Sequence, residues 1–243
     1  MDSALITKLL PADRVKNEIY ATKLLKNIVP THEPSETKDS VTDIKYTKIP
    51  GSELGFKQHL YATAGEWLKK IHGVHFDTAG TLANILSKKK STWDTFFRAI
   101  YRSEIDKLST LDNHHIILTD WLDQRTIREK YCLLHMDYSP KNIIATNKLQ
   151  AVIDFEYSSS GDPLYDVAWA AMTFGNKKVG ANWNPHIIKG YLGEKSNFSD
   201  TQINHLQTYK GAHLLRILTS DLDHKNQLWK DNIIEEIYNV TAK

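Results

Sequence analysis

Between Cys132 and Asp166 the chain reads CLLHMDYSPKNIIATNKLQAVIDFEYSSSGDPLYD, and no other stretch limits the possible fold as tightly. His135, Asp137 and Asn142 stand in the pattern H-x-D-x-x-x-x-N, and twelve residues after Asn142 comes Asp154, at the end of an apolar run. Leu133 and Leu134 lead in as a short buried strand. Ile143 and Ile144 follow Asn142, and Ala151, Val152 and Ile153 lead into Asp154, so two apolar runs bracket Lys148 at a turn. These side chains are the set that phosphoryl transfer to a hydroxyl requires. One carboxylate orients the attacking hydroxyl, and an amide with a second carboxylate holds Mg2+ against nucleotide phosphates.

The run resembles the catalytic and metal-binding segments of the aminoglycoside phosphotransferase and choline kinase superfamily, small-molecule relatives of the protein kinases. GDPLYDVA, from Gly161 to Ala168, resembles that family's stretch after the metal-binding Asp. The likeness covers roughly residues 1 to 220 and is sharp only between 131 and 170. It implies an α+β, protein-kinase-like two-lobe fold. A truncated N-terminal β-containing nucleotide lobe would span 1–50, and a larger, mostly helical C-terminal lobe with the catalytic loop and acceptor site would span 51–243. Met136 stands where a protein kinase has the Arg of H-R-D, Asp154-Phe155-Glu156 replaces D-F-G, and no A-P-E follows. The expectation is therefore a small-molecule kinase that uses ATP (or GTP) and Mg2+ to phosphorylate a hydroxyl of a small acceptor. The alternative is a catalytically weak or inactive truncated relative serving as a binding or scaffold module.

Composition bounds the rest. With 243 residues, 41% hydrophobic and 25% charged, the chain can bury a substantial core in one domain or two joined lobes. A net charge of +2 argues against a nucleic-acid binder, and Lys88-Lys89-Lys90 reads as a solvated helix end. Cys132 is the single cysteine, which excludes an intrachain disulfide and fits a reducing compartment; its apolar setting suggests packing. No apolar run approaches the ~20 residues of a membrane span and no signal-peptide pattern opens the chain, so the reading is cytoplasmic, with no membrane partner. Oligomeric state stays open.

Along the chain, Ala4 to Leu10 reads as a strand, Asp13 as a helix cap, and Arg14 to Asn27 as a helix. Pro30 to Ser40 reads as a loop and Val41 to Ile49 as an edge strand ended by Pro50-Gly51, with the interlobe hinge near Ile49 to Leu54. Amphipathic helices are expected over Phe56 to His72 and Trp93 to Leu108, and further helices near 185–192, 200–222 and 226–240. The first glycine is Gly51, so no Gly-rich phosphate loop precedes it. The resemblance then matches Lys8 to the phosphate-contacting lysine and Glu18 to the helix glutamate that pairs with it. This register implies that the family's first two strands are absent.

Each site residue has a plainer reading. Asp137 is the candidate catalytic base or orienting group, against an ordinary turn Asp. Asn142 and Asp154 are the candidate Mg2+ ligands, against a turn-capping Asp154. Ser139 either hydrogen-bonds the transferring phosphoryl group or caps the turn before Pro140. The resemblance implies that His135 packs beneath the loop and bonds backbone. Asp166 suits a helix N-cap, and in the family the equivalent acid braces the catalytic loop. Lys141 is read as solvated and Glu156 as no less suited to an exposed turn than to the metals. For the acceptor, the region after Asp154 and the helices between 56 and 125 are the expected ground. Carboxylates for a polycation (Glu194, Asp200, Asp221, Asp223, Asp231, Glu235, Glu236) are interleaved with lysines. Rings that could supply a cationic cage (Trp169, Trp183, Tyr191, Tyr209, Trp229) are, in amphipathic helices, buried in cores far more often.

Overall fold

The computed structural model describes residues 5–31, 34–37, 43–108, 119, 131–175, 183–193, 196–220 and 227–241. Its first strand, β1 (Leu5–Leu9), precedes helix α1 (Ala12–Leu25) and is joined in one sheet by β2 (Pro34–Thr37) and β3 (Asp43–Thr47). The strand order is β1-β3-β2, all antiparallel, with Leu5 opposite Thr47 and Leu9 opposite Asp43. Two expectations change here. The 30–40 stretch contains a strand, and the 41–49 strand is central instead of lying at an edge. Polar residues such as those of β2 carry little strand propensity of their own, and cross-strand pairing decides their state. Ile44 and Tyr46 of β3 bury with Leu10 and Val15 in a small apolar cluster under this sheet.

Pro11 occupies the cap position of α1 with φ −55° and makes no side-chain cap bond; Asp13 falls in the first turn. Asp13 therefore favours the positive helix end without capping it, a correction to its expected role. After α1 the chain docks on the catalytic segment, where Val152 N–H donates to Pro30 O at 3.0 Å and Thr31 bridges Val152 in parallel.

The stretch 49–54 contains β4 (Ser52–Glu53), which pairs with a strand of the catalytic hairpin described below, and Leu54 N–H donates to Ile143 O at 2.7 Å. Helix α2 (Tyr61–Ile71) starts after a tight turn at Gln58–Leu60, leaving Phe56, expected in the helix, outside it and 66% exposed. Then come β5 (Gly80–Thr81), α3 (Leu82–Leu86) and α4 (Trp93–Lys107). The side chains of Thr81 and Thr92 accept from Asn84 N and Thr95 N, satisfying helix-start donors.

β6 (Cys132–Leu134) ends at the catalytic loop, which is followed by the hairpin β7 (Ile143–Ala145) and β8 (Leu149–Val152), then β9 (Ser159–Gly161). One sheet runs β4-β7-β8 and another β5-β9-β6. Four helices complete the described chain: α5 (Pro163–Thr173), α6 (Pro185–Leu192), α7 (Asp200–Ser220) and α8 (Gln227–Thr241). Helices α2 and α6 touch backbone to backbone because a Cβ at Gly65 would strike Ile187 O, and one at Gly190 would strike Ala62 O.

The main core is aromatic. Trp93 donates to Tyr209 OH, which donates to Asp162 Oδ2, both at 2.9 Å, and Tyr101 OH meets Tyr165 OH at 2.8 Å. Tyr209, a candidate cage ring, is thereby committed to the core. Glu194, Asp221, Asp223, the side chain of Trp229 and most of 109–130 lie outside the described residues. Among the described residues no helix is long and apolar enough to cross a membrane.

Candidate active site

The loop after β6 is fixed by one buried carboxylate. Asp166, on the first turns of α5, accepts from His135 N–H at 2.6 Å and Met136 N–H at 2.9 Å, with His72 Nε2 at 3.4 Å. The cap of α5 is Asp162, whose carboxylate accepts from Leu164 N–H, so Asp166 does not cap. It grips the loop from inside the helix. His135 is buried, with Nε2 2.9 Å from Ile153 O and Nδ1 accepting from Asp137 N–H at 3.3 Å. Because a carbonyl can only accept, the ring proton sits on Nε2. The ring thus ties the loop to the end of β8. Met136 between these anchors has φ +69°, a left-handed conformation uncommon outside glycine.

Asp137 follows. Trp169 Nε1–H donates to its Oδ1 at 2.9 Å, and Asn142 Nδ2–H donates to its Oδ2 at 3.0 Å and to its backbone carbonyl at 2.9 Å. Lys141 Nζ stands 3.2 Å from Oδ2, so it is paired where solvation was expected, although at 61% exposure such a pair stabilises little. Ser139 precedes Pro140 without any side-chain cap bond, and its Oγ is buried with no hydrogen-bond partner among the described residues. Trp169 was not singled out for Asp137. The available signal was its spacing, three residues after Asp166 on the same helix face.

Asp154 follows β8 at φ +67°, with its side chain 43% exposed and no cap bond. Lys8 Nζ reaches it at 2.6 Å and Glu156 at 2.9 Å. Glu156 is only 12% exposed and also faces Arg14 at 3.8 Å, while its backbone carbonyl accepts from Asn17. Of the two readings left open for Glu156, the exposed turn does not hold: two basic residues from β1 and α1 draw it inward, beside Asp154. Burial works against the charge of Lys8, but hydrogen bonds and attraction from Asp154 and Glu156 outweigh it and hold its pKa above the ordinary value.

Glu18 lies 1% exposed beneath this group, and Lys8 bonds Asp154 and Glu156 in preference to it. Burial pushes the Glu18 carboxyl up to about 7, against the attraction of Lys8, so near neutrality it is only half charged. This has a measurable consequence. With its pKa raised from 4.5 to about 7, folded Glu18 keeps a proton that the unfolded chain releases, so this group's contribution to stability falls as pH rises through that window. Glu18→Gln should melt higher than wild type near pH 8, by up to roughly 3 kcal/mol, and show no advantage near pH 4. Equal melting at both pH values would contradict this.

A cation site is chemically consistent with Asn142 and Asp154. Both offer oxygen to a hard ion, and the Asn142 amide nitrogen is already engaged by Asp137, which leaves its oxygen as the donor. Among the described residues no group of three or more His, Cys, Asp or Glu could hold a metal alone. Phosphate oxygens would have to complete the shell, as is usual for Mg2+.

A model of the phosphotransferase enzyme family matches residues 44–201. Acyl-CoA dehydrogenase family member 10 of Mus musculus is 27% identical over 139 residues, a match covering 54% of this chain and 12% of that protein, so the chain corresponds to a small part of that relative. Among solved structures, the GDP and kanamycin complex of APH(2″)-IIia superimposes with a TM-score of 0.68 at 17% identity, covering 99% of this chain and 88% of that one. A choline/ethanolamine kinase family protein from Mesorhizobium loti gives 0.65 at 16% identity, covering 98% and 83%. At such identities the likeness is one of fold, and it bears out the protein-kinase-like plan.

Proposed function

The chain belongs to the phosphotransferase enzyme family, and we propose that it transfers the γ-phosphoryl group of ATP or GTP, with Mg2+, to a hydroxyl of a small molecule. The observation that carries this reading is the convergence of Lys8 on Asp154, joining residues 146 apart in sequence, next to a loop where Asn142 bonds Asp137. No observation favours the alternative of a silent scaffold.

The roles follow from the contacts. Asn142 and Asp154 would hold Mg2+, which when bound neutralises charge on the phosphate oxygens. Lys8 would pass its ammonium from the Asp154 and Glu156 carboxylates to those oxygens. Ser139 has a buried hydroxyl free to donate to the transferring group. Asp137, with Oδ1 fixed by Trp169, orients the acceptor hydroxyl and takes its proton as the oxygen attacks phosphorus. Positioning dominates such transfers, and the buried anchors Asp166 and His135 supply it.

Calorimetric titration of MgATP into the full chain tests the reading. Wild type should bind, and Asp154→Ala should weaken MgATP binding roughly 10- to 100-fold or abolish it. A folded wild-type chain that binds neither MgATP nor MgGTP would overturn the proposal.

A further inference from the structure

Arg216, on α7, is half-buried and forms no ion pair with any carboxylate among the described residues. Its Nη1 donates to Met136 O at 3.3 Å, and its guanidinium lies 5.8 Å from the Tyr157 ring. Burial opposes its charge, while a hydrogen bond with Tyr165 and attraction from Asp137 favour it. Asp137 acts on Arg216 without pairing to its fork, so among the described residues no carboxylate forms an ion pair with this partly desolvated cation, and a planar guanidinium is the group best shaped for a carboxylate or phosphate.

Its place in the site decides which anion. Met136, whose carbonyl it bonds, directly precedes Asp137, and Asp137 is among the charges that act on Arg216, so an anion held by Arg216 would lie beside the loop that carries Asp137. The nucleotide phosphates belong instead with Lys8 and Asp154, and neither is a partner of Arg216. Arg14 places a second guanidinium 4.4 Å from the Tyr157 ring, and Lys141 stands 3.2 Å from Asp137. Arg14 is already turned to Glu156 at 3.8 Å, so the basic groups that touch the loop itself are Lys141 on Asp137 and Arg216 on Met136. Among the described acidic candidates for a polycation, Glu236 is bonded by Lys210, and Asp200 lies sixteen residues before Arg216 on α7, about 24 Å along the helix.

Resting on the kinase reading, we propose that the acceptor is a small hydroxy compound carrying a carboxylate or phosphate, and that Arg216 binds this anionic group. The test is MgATP-dependent phosphorylation by the full chain of glycolate, lactate, 3-hydroxybutyrate and glycerol phosphate, against their neutral amide or polyol counterparts and against choline and kanamycin. In parallel, thermal-shift titrations with the same anions are run with and without MgADP. Wild type should turn over an anionic acceptor and be stabilised by it. Arg216→Gln should lose about 10- to 100-fold in kcat/KM for that acceptor, through KM, with MgADP binding kept and Arg216→Lys intermediate.

Turnover of cationic or neutral acceptors alone would overturn the inference and leave the kinase reading intact. Anion stabilisation that depends on Arg216 in a chain that binds no nucleotide would support the anion site while the kinase reading fails. A fall in kcat alike for charged and neutral acceptors in Arg216→Gln would assign Arg216 to the phosphoryl group and overturn the proposal. So would the absence of both turnover and anion stabilisation.

Discussion

Asp137→Asn should lower kcat for phosphoryl transfer by about 10²- to 10⁴-fold while leaving MgATP affinity nearly unchanged. The substitution is close to isosteric, and the amide oxygen can still accept from Trp169 Nε1, which now bonds Oδ1 at 2.9 Å. What would disappear is the charge that, on the proposed reading, orients the acceptor hydroxyl and receives its proton. One new conflict arises, because the introduced NH2 would face Asn142 Nδ2 and Lys141 Nζ, both of which donate toward Oδ2. That conflict involves the buried Asn142 but none of the bonds that Asp166 makes, so the fold should persist. Single-turnover kinetics beside nucleotide titration separates the two effects. An Asp137→Asn protein with wild-type kcat would reduce Asp137 to a loop anchor.

The catalytic loop was legible because its geometry is local. His135, Asp137 and Asn142 lie within eight residues, and the tight β7–β8 hairpin carries the chain back to Asp154. The same spacing that suggests the chemistry also builds the site. Partners chosen over long distances were not legible. The spacing of LITKL says nothing about Lys8 meeting Glu156, and Arg216, which reaches back to the Met136 carbonyl, looks in sequence like any helix-surface arginine. β2 was missed for a related reason: its four residues, PSET, become a strand only through β3. Aromatic residues proved ambiguous in the same way. Tyr209 went to the core and Tyr191 to His72 Nδ1 at 2.9 Å, while Trp169 alone of the described candidates bonds Asp137.

Asp166→Ala should remove both stability and activity, the combination that separates it from Asp137→Asn. Its carboxylate is fully buried and accepts two backbone N–H groups, from His135 and Met136, with His72 Nε2 within 3.4 Å. Truncation leaves those donors buried without acceptors, at about 1–3 kcal/mol each, so a total near 3–5 kcal/mol is expected. For a chain of this size that lowers Tm by roughly 6–20 °C. The fraction still folded should also be inactive. Met136 holds φ +69° only while its surroundings enforce it, and relaxation there swings Asp137 away from Trp169 and Asn142. Asp166→Asn should fall between, since one oxygen remains to accept while the amide nitrogen meets a backbone donor. Thermal melts and kcat on the same preparations decide the matter. An Asp166→Ala protein that melts like wild type would mean that the strained loop is held by His135 alone. Loss of both together would mean that the carboxylate inside α5 sets the position of Asp137, so that the stability of the helical core and the aim of the catalytic group rest on the same two hydrogen bonds.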